Sequence, residues 1–310
     1  MHISPGRTGG RGSVRVGEGR AKLNLAFSMV IFGTIGLFVR RIGLPSAVIA
    51  MLRGYIGFAV ILLYRRLRGA GADRTALREN LGRLILSGAF IGVNWILLFE
   101  AYRYTSVAVA TLCYYMQPVF VTGLSAVLLG ERITLRRAVC VAVALAGMSL
   151  VSGVWEGAAG GGGAAGVLYG IGAAAFYAGV ILINKKMTPM DPLQQTSVQL
   201  LSAAVTVTPY VLLTAPGAGM TVTAASAMLV LFVGVVHTGF AYVLYFGQLR
   251  RLSAQTAAIM SYIDPAVAIL LSAAVLREPM TPAGAAGAAL VLGATLFSEL
   301  DFGKPSTGRE

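Results

Sequence analysis

Long apolar runs alternate with short polar breaks along almost the whole chain. Runs of the length that crosses a bilayer, about 17–25 residues, are read at 23–39, 46–64, 84–101, 106–130, 134–152, 166–184, 193–214, 226–249, 253–276 and 282–299. Arg40-Arg41, Arg65-Arg66, Lys185-Lys186 and Arg250-Arg251 close the runs, because paired charges are costly to carry into hydrocarbon. Thr281-Pro282 reads as an N-cap followed by proline at the first helical position. The pattern predicts an all-α integral membrane protein of ten transmembrane helices.

The runs repeat. Residues 106–134 and 253–281 carry one pattern twice, at a constant offset of 147 positions. The shared residues are Ser106/Ser253, Ala110/Ala257, Tyr115/Tyr262, Pro118/Pro265, Ser125/Ser272, Glu131/Glu278 and Thr134/Thr281. A duplicated apolar half is the mark of a secondary transporter, whose site must be reachable from either face of a membrane. Five spans per half is an odd number, so the second half is expected to enter the membrane upside down. The expected organisation is a disordered basic tail (1–22), a first five-helix unit (23–153), a glycine-rich linker (154–165), a second unit (166–299) and a short tail (300–310).

Composition narrows the class further. Hydrophobic residues make up 56% of the 310 positions and charged residues only 12%, about half the charged share of a soluble domain. The net charge of +13 does not point to nucleic acid, because the cations cluster in the short breaks. With the N-terminus in the cytoplasm, only Arg40, Arg41, Arg103 and Arg277 of the 25 Lys and Arg fall outside, and Arg53 lies within a span. That bias predicts a multi-pass protein of a bacterial inner membrane with both termini cytoplasmic. Cys113 and Cys140 sit in apolar runs and read as free core residues. There is no phosphate-binding GxxxxGK[ST], no HExxH, no GxSxG and no paired Cys/His ligand set. The chain is therefore read as a non-enzyme with no cofactor or metal.

NWILLFEAYRYTSVAVATLCYYMQPVFVTGLSAVLLGERIT (94–134) resembles the third and fourth helices of the EamA family, within the drug/metabolite transporter superfamily. LRRLSAQTAAIMSYIDPAVAILLSAAVLREPMT (249–281) resembles the matching helices of the second EamA repeat, and MLRGYIGFAV (51–60) the arginine-bearing second helix. The resemblance implies ten helices in two inverted repeats, a central cavity lined by the first, third and fourth helices of each repeat, and efflux of small metabolites. Arg277 stands where the first repeat has Gly130, so the end of that helix is expected to behave differently.

Few ionisable residues lie in the spans, and each is a candidate for function. Asp264, just before Pro265, is read either as a proton carrier or cation counter-ion, or as a carboxylate kept paired or protonated by burial. Its mate in the first repeat is Gln117, which cannot titrate, so the site is asymmetric. Arg53 suits a substrate carboxylate, but pairing with Asp264 or Glu100 is the reading favoured for it. His237 titrates nearest neutral pH, although a lone histidine in a membrane helix is more often packing. Asn94-Trp95 suits a pocket that stacks a ring and fixes a polar end, or equally an interhelical contact. Tyr114, Tyr115, Tyr177, Tyr242 and Tyr262 add rings with polar tips, and Pro118 and Pro265 are expected bend points for gating. Glu131 and Glu278 read as structural, through capping or an ion pair at the turn into the next helix.

The expected function is alternating-access export of small metabolites, amino acids or similar amphipathic compounds, with protons as a candidate coupling partner. Metabolite import and flipping of a lipid-linked headgroup are the alternatives. Self-association as a homodimer is left open.

Overall fold

The computed structural model describes residues 10–130, 134–151, 162–214, 222–249, 252 and 254–299. The first residues of the basic tail, Glu131, Ser253, the linker through residue 161 and the C-terminal tail lie outside the described residues. The described chain is all helical, with no strand: α1 (Gly10–Val39), α2 (Ser46–Leu67), α3 (Arg74–Tyr104), α4 (Val107–Tyr114), α5 (Gln117–Leu129), α6 (Leu135–Val151), α7 (Gly162–Lys185), α8 (Pro192–Thr214), α9 (Ala224–Phe232), a π-helical segment (Val233–Phe240), α10 (Ala241–Leu249), α11 (Ala254–Ser261), α12 (Ile263–Ala274) and α13 (Pro282–Glu299).

Among the described residues, 7 helical stretches are long and apolar enough to cross a membrane: 19–39, 46–67, 74–104, 107–128, 163–185, 192–214 and 224–248. The other three expected spans are not among them. The fifth, α6, has 17 residues, about 25 Å at 1.5 Å per residue against a hydrocarbon core of about 30 Å. The ninth is divided into α11 and α12, and the tenth, α13, has 18 residues.

Three boundaries correct the sequence reading. α1 starts at Gly10, so residues 10–22 are helical where a disordered tail was expected. Adding turns to an existing helix is cheap compared with nucleating one. α7 starts at Gly162, inside the expected linker. α3 starts at Arg74, ten residues before the apolar run, because Asp73 caps it by accepting from the Ala76 amide at 3.0 Å.

The packing respects the duplication. α3 lies against α7, and its repeat counterpart, α10 with the π segment, lies against α1. α3 also lies against α8, and the π segment against α2. α1 packs on α12, α7 on α4 and α5, while α2–α8 and α6–α13 are pairs that exchange into themselves. Each half therefore completes the other's core. At the α6–α13 crossing, a Cβ on Gly287 would come within 2.5 Å of the Gly147 carbonyl and one on Gly147 within 2.8 Å of the Gly287 carbonyl. Only glycine permits that approach. Val127, Leu135 and Leu213 are more than 80% exposed, an arrangement that suits lipid and not water.

Candidate functional site

The fourth and ninth apolar runs are both broken, and at matched positions. Tyr115 and Met116 interrupt the helix between α4 and α5, and Pro118 sits in the first turn of α5. Tyr262 interrupts it between α11 and α12, and Pro265 sits in the first turn of α12. A proline has no amide hydrogen to offer the carbonyl four residues back. For Pro265 that carbonyl belongs to Ser261. The Tyr115 hydroxyl, from the other half, lies 3.1 Å from the Ser261 carbonyl oxygen and 3.0 Å from Asp264 Oδ2. The break in one repeat is thus closed by a side chain at the break in the other. The Tyr115 and Tyr262 rings are 6.0 Å apart, Tyr115 and Tyr114 6.1 Å, and Tyr114 and Tyr177 5.5 Å. α1 supports the same point, since a Cβ on Gly33 would meet the Asp264 carbonyl oxygen at 2.6 Å. Gln117, the counterpart of Asp264, has its Oε1 buried with no hydrogen-bond partner among the described residues.

Arg53 does not pair as the sequence suggested. Among the described residues Glu100 binds Arg103 at 3.2 Å, and no carboxylate forms an ion pair with Arg53. Its guanidinium instead lies 4.0 Å from the centroid of the Trp95 ring and 5.6 Å from that of Phe99, and its Nε donates to Thr238 Oγ1 at 2.5 Å. It is 4% exposed. A buried cation facing rings gains about 2 kcal/mol from them, less than the several kcal/mol of desolvation that an ion carries. The site is therefore short of one anion. Tyr102, Tyr114 and Tyr242 pack in one hydrophobic cluster with Trp95, the ring under Arg53, and Tyr114 packs edge-on against Tyr115, which holds Asp264.

The other candidates divide. Trp95 is buried and serves as the platform for Arg53. Asn94 is fully buried and donates to the Ala173 carbonyl at 2.6 Å, joining α3 to α7. His237 is buried, shares a hydrogen bond with Thr34 Oγ1 at 2.9 Å, and is edged by Phe38 and Phe232. Its position is interhelical packing between α1 and the π segment. That segment had no sequence signal. It places Thr238 between its own Val233 carbonyl and Arg53, in keeping with the frequency of π turns at functional sites.

At one end of the bundle, Glu278 forms an ion pair with Arg40, accepts from the Val107 amide at 2.9 Å and takes the Ser272 hydroxyl. It caps α4 in the other half, where capping of the following helix was expected. A pocket of about 190 Å³ adjoins this knot, lined by Ser106, Leu112, Val167, Ser272, Glu278 and Met280 among others. At the opposite end of α2, Arg65 meets Asp191 at 3.4 Å, and Asn80 exchanges hydrogen bonds with the Thr188 backbone. Arg277 was expected to set its helix end apart from that of Gly130. Both have a positive φ, 54° and 68°, but the ends do differ: Gly130 is the C-cap of α5, whereas α12 stops at Ala274 with Val275 as its cap, so Arg277 lies beyond its helix.

Duplicated apolar helices with exchange-related packing and matched helix breaks, one of them carrying a carboxylate, define a multi-pass membrane transporter. The EamA-like transporter family model matches residues 20–153 and 164–299, and the chain belongs to that family. It is 28% identical over 261 residues to the uncharacterized transporter YxxF of Bacillus subtilis, covering 81% of this chain and 80% of that one. It is also 28% identical over 276 residues to an uncharacterized transporter of Archaeoglobus fulgidus, covering 88% and 94%. A solved crystal structure shares the fold at a TM-score of 0.63 and 21% identity, covering 91% of this chain and 98% of that chain.

Proposed function

We propose that this transporter exports small zwitterionic metabolites, amino acids or close relatives, by alternating access of two inverted five-helix halves. The observation that carries the reading is the buried Arg53 guanidinium on the Trp95 ring with no ion-pair partner among the described residues, together with Asp264 held by Tyr115 at the break of the ninth run. A substrate carboxylate supplies the anion that Arg53 lacks, and an ammonium group meets Asp264. The tyrosine and tryptophan rings take the apolar part of such a ligand. Asp264 also serves as the group through which protons couple to transport, because Gln117 in the other half cannot titrate.

The organisation follows the same logic. Units 23–153 and 166–299 each contribute five spans, with α4–α5 and α11–α12 each crossing the bilayer as one broken helix. The exchange-related packing supports the inverted arrangement, and Pro118 and Pro265 are the bend points at which the broken helices tilt. Most cations lie on one side when both termini are cytoplasmic, which supports that orientation for a protein of a bacterial inner membrane.

The test is mass spectrometry of culture medium from cells overproducing the wild type or a Pro118→Leu/Pro265→Leu variant, with membrane levels matched. A small set of zwitterionic metabolites enriched only by the wild type is expected. Depletion of those compounds from the medium would make the protein an importer. No change in metabolites, with altered distribution of a headgroup-bearing lipid between leaflets, would make it a flippase.

A further inference from the structure

Arg53 gives its Nε–H to Thr238 Oγ1. The N–H groups on its two terminal nitrogens meet no hydrogen-bond or ion-pair acceptor among the described residues. The guanidinium lies against the Trp95 ring, so the ring limits its tilt and Thr238 limits its rotation over that ring. Thr238 is itself held: it is fully buried, and its hydroxyl reaches the Val233 carbonyl at 3.4 Å. The seam between α2 and the π segment brings the hydroxyl this close. A Cβ on Gly57 would lie 2.5 Å from Thr238 Cγ2, one on Gly234 2.7 Å from Ile56, and one on Gly239 closer still to Val60. Gly234 and Gly239 are five residues apart, which in an α-helix is roughly 140° around the axis. The wider i→i+5 winding of the π segment turns both glycines towards α2, with Thr238 between them.

We propose that Thr238 is a positioning residue for ligand binding: with Trp95 it fixes the Arg53 guanidinium so that the edge formed by both terminal nitrogens is presented to the ligand's anion. A guanidinium takes a carboxylate either side-on, through Nε and one terminal nitrogen, or end-on, through both terminal nitrogens. Thr238 occupies Nε, so the end-on fork is the one left. A carboxylate bound there lies in the plane of the guanidinium with both oxygens engaged. Any rotation of the guanidinium forfeits one of those two hydrogen bonds, which is why a neutral hydroxyl at a distance from the ligand sets its affinity. The identity of the anion rests on the substrate reading above; the holding of Arg53 by Thr238 does not.

The test reads Trp95 directly. The chain has two tryptophans, Trp95 and Trp155, so Trp155→Phe leaves Trp95 as the sole emitter of the purified full-length protein. In that background Thr238→Val deletes the hydroxyl and keeps the methyl that packs over Gly57, whereas Thr238→Ser keeps the hydroxyl. Without any ligand, Trp95 emission is expected to change in Thr238→Val, as the cation leaves the ring, and to match the wild type in Thr238→Ser. Leucine is then the probe, with isoamylamine, the same molecule lacking its carboxylate, as the control. Thr238→Val is expected to raise the leucine concentration of half-maximal response about tenfold. It should raise KM for leucine transport in proteoliposomes likewise, with kcat nearly unchanged, and Thr238→Ser should restore both. Thr238→Cys, a poorer acceptor of similar size, serves in place of the valine variant if that one does not fold. Wild-type emission in the hydroxyl-free variant, or equal losses in the valine and serine variants, would overturn the proposal. Emission in the expected order, with leucine no better than isoamylamine in the wild type, would uphold the positioning of Arg53 and overturn the carboxylate reading of the site instead.

Discussion

At the break between α4 and α5 the chain carries Tyr115, Gln117 and Pro118, and at the break between α11 and α12 it carries Tyr262, Asp264 and Pro265. The backbone solution is the same at both: an unwound residue or two, then proline in the first turn of the next helix. The chemistry differs. Tyr115 reaches across to the Ser261 carbonyl and to Asp264, while Gln117 presents an amide oxygen with no partner among the described residues. Duplication has preserved the break, and divergence has placed the single carboxylate of the pair in the second half. In that frame the first repeat holds the site in shape and the second carries the titratable group.

The largest break in this asymmetry is Asp264→Asn. Transport driven by a pH gradient in proteoliposomes is expected to fall by at least about tenfold, equivalent to about 1.4 kcal/mol of lost coupling. Exchange of substrate without a gradient should survive. Moving the carboxylate back, with Asp264→Asn and Gln117→Asp together, sharpens the test. Recovery of part of the gradient-driven rate means that the two breaks are interchangeable frames for one acid. A fully coupled Asp264→Asn single variant would remove Asp264 from the mechanism.

A smaller effect is expected from Tyr115→Phe, which keeps the ring and deletes the hydroxyl. One lost hydrogen bond to a buried acceptor costs about 1–2 kcal/mol, a factor of roughly 5–30 in rate or occupancy. If the tyrosine supports the break of the opposite half, the variant should lose transport and also show faster amide exchange at Ser261 to Asp264. Tyr262→Phe is the control within the repeat. Loss of transport in Tyr115→Phe with unchanged exchange would make the hydroxyl a substrate contact instead of a strut.

Much of this frame was legible in the chain. The constant offset of 147 positions, the matched prolines and the paired cations mark the breaks and the duplicated half, because each follows from local chemistry: a missing amide hydrogen, or a charge that hydrocarbon excludes. What the chain did not disclose depends on contacts between distant segments. Arg53 was expected to find a carboxylate, and its hydroxyl partner Thr238 lies 185 residues away in a π segment. Glu278 was expected to cap or ion-pair at its own turn; it does form an ion pair, with Arg40, but the amide it caps is that of Val107 in α4, 171 residues distant. Asn94 looked equally fit for a ligand or for packing and His237 better suited to packing, and the Ala173 carbonyl and Thr34 hydroxyl tie them between helices. Residue type names a need for a partner, and the fold decides which of several partners meets it.

The smallest expected effect compares the two halves at their positive-φ positions. Gly130, at φ 68°, closes α5, and Arg277, at φ 54°, is its sequence counterpart in the second repeat, two residues beyond the Val275 cap of α12. An L-residue with a side chain pays about 1–2 kcal/mol in that conformation, whereas glycine adopts it freely but gives up about 0.4–1 kcal/mol through the entropy of its unfolded chain. Arg277→Gly should therefore stabilise by about 0.5–1 kcal/mol net, which corresponds to roughly 1–3 °C in a thermal melt for a chain of this size. Gly130→Ala meets nothing within 4 Å, so its only penalty is the backbone angle, and it should destabilise by a similar amount. Opposite signs for the two substitutions establish that the turn conformation is common to both repeats and that the arginine is retained there against its backbone preference. Equal signs would mean that Arg277 makes a stabilising contact worth more than its strain, and the two positive-φ positions would then differ in energy as they differ in their place relative to the helix end.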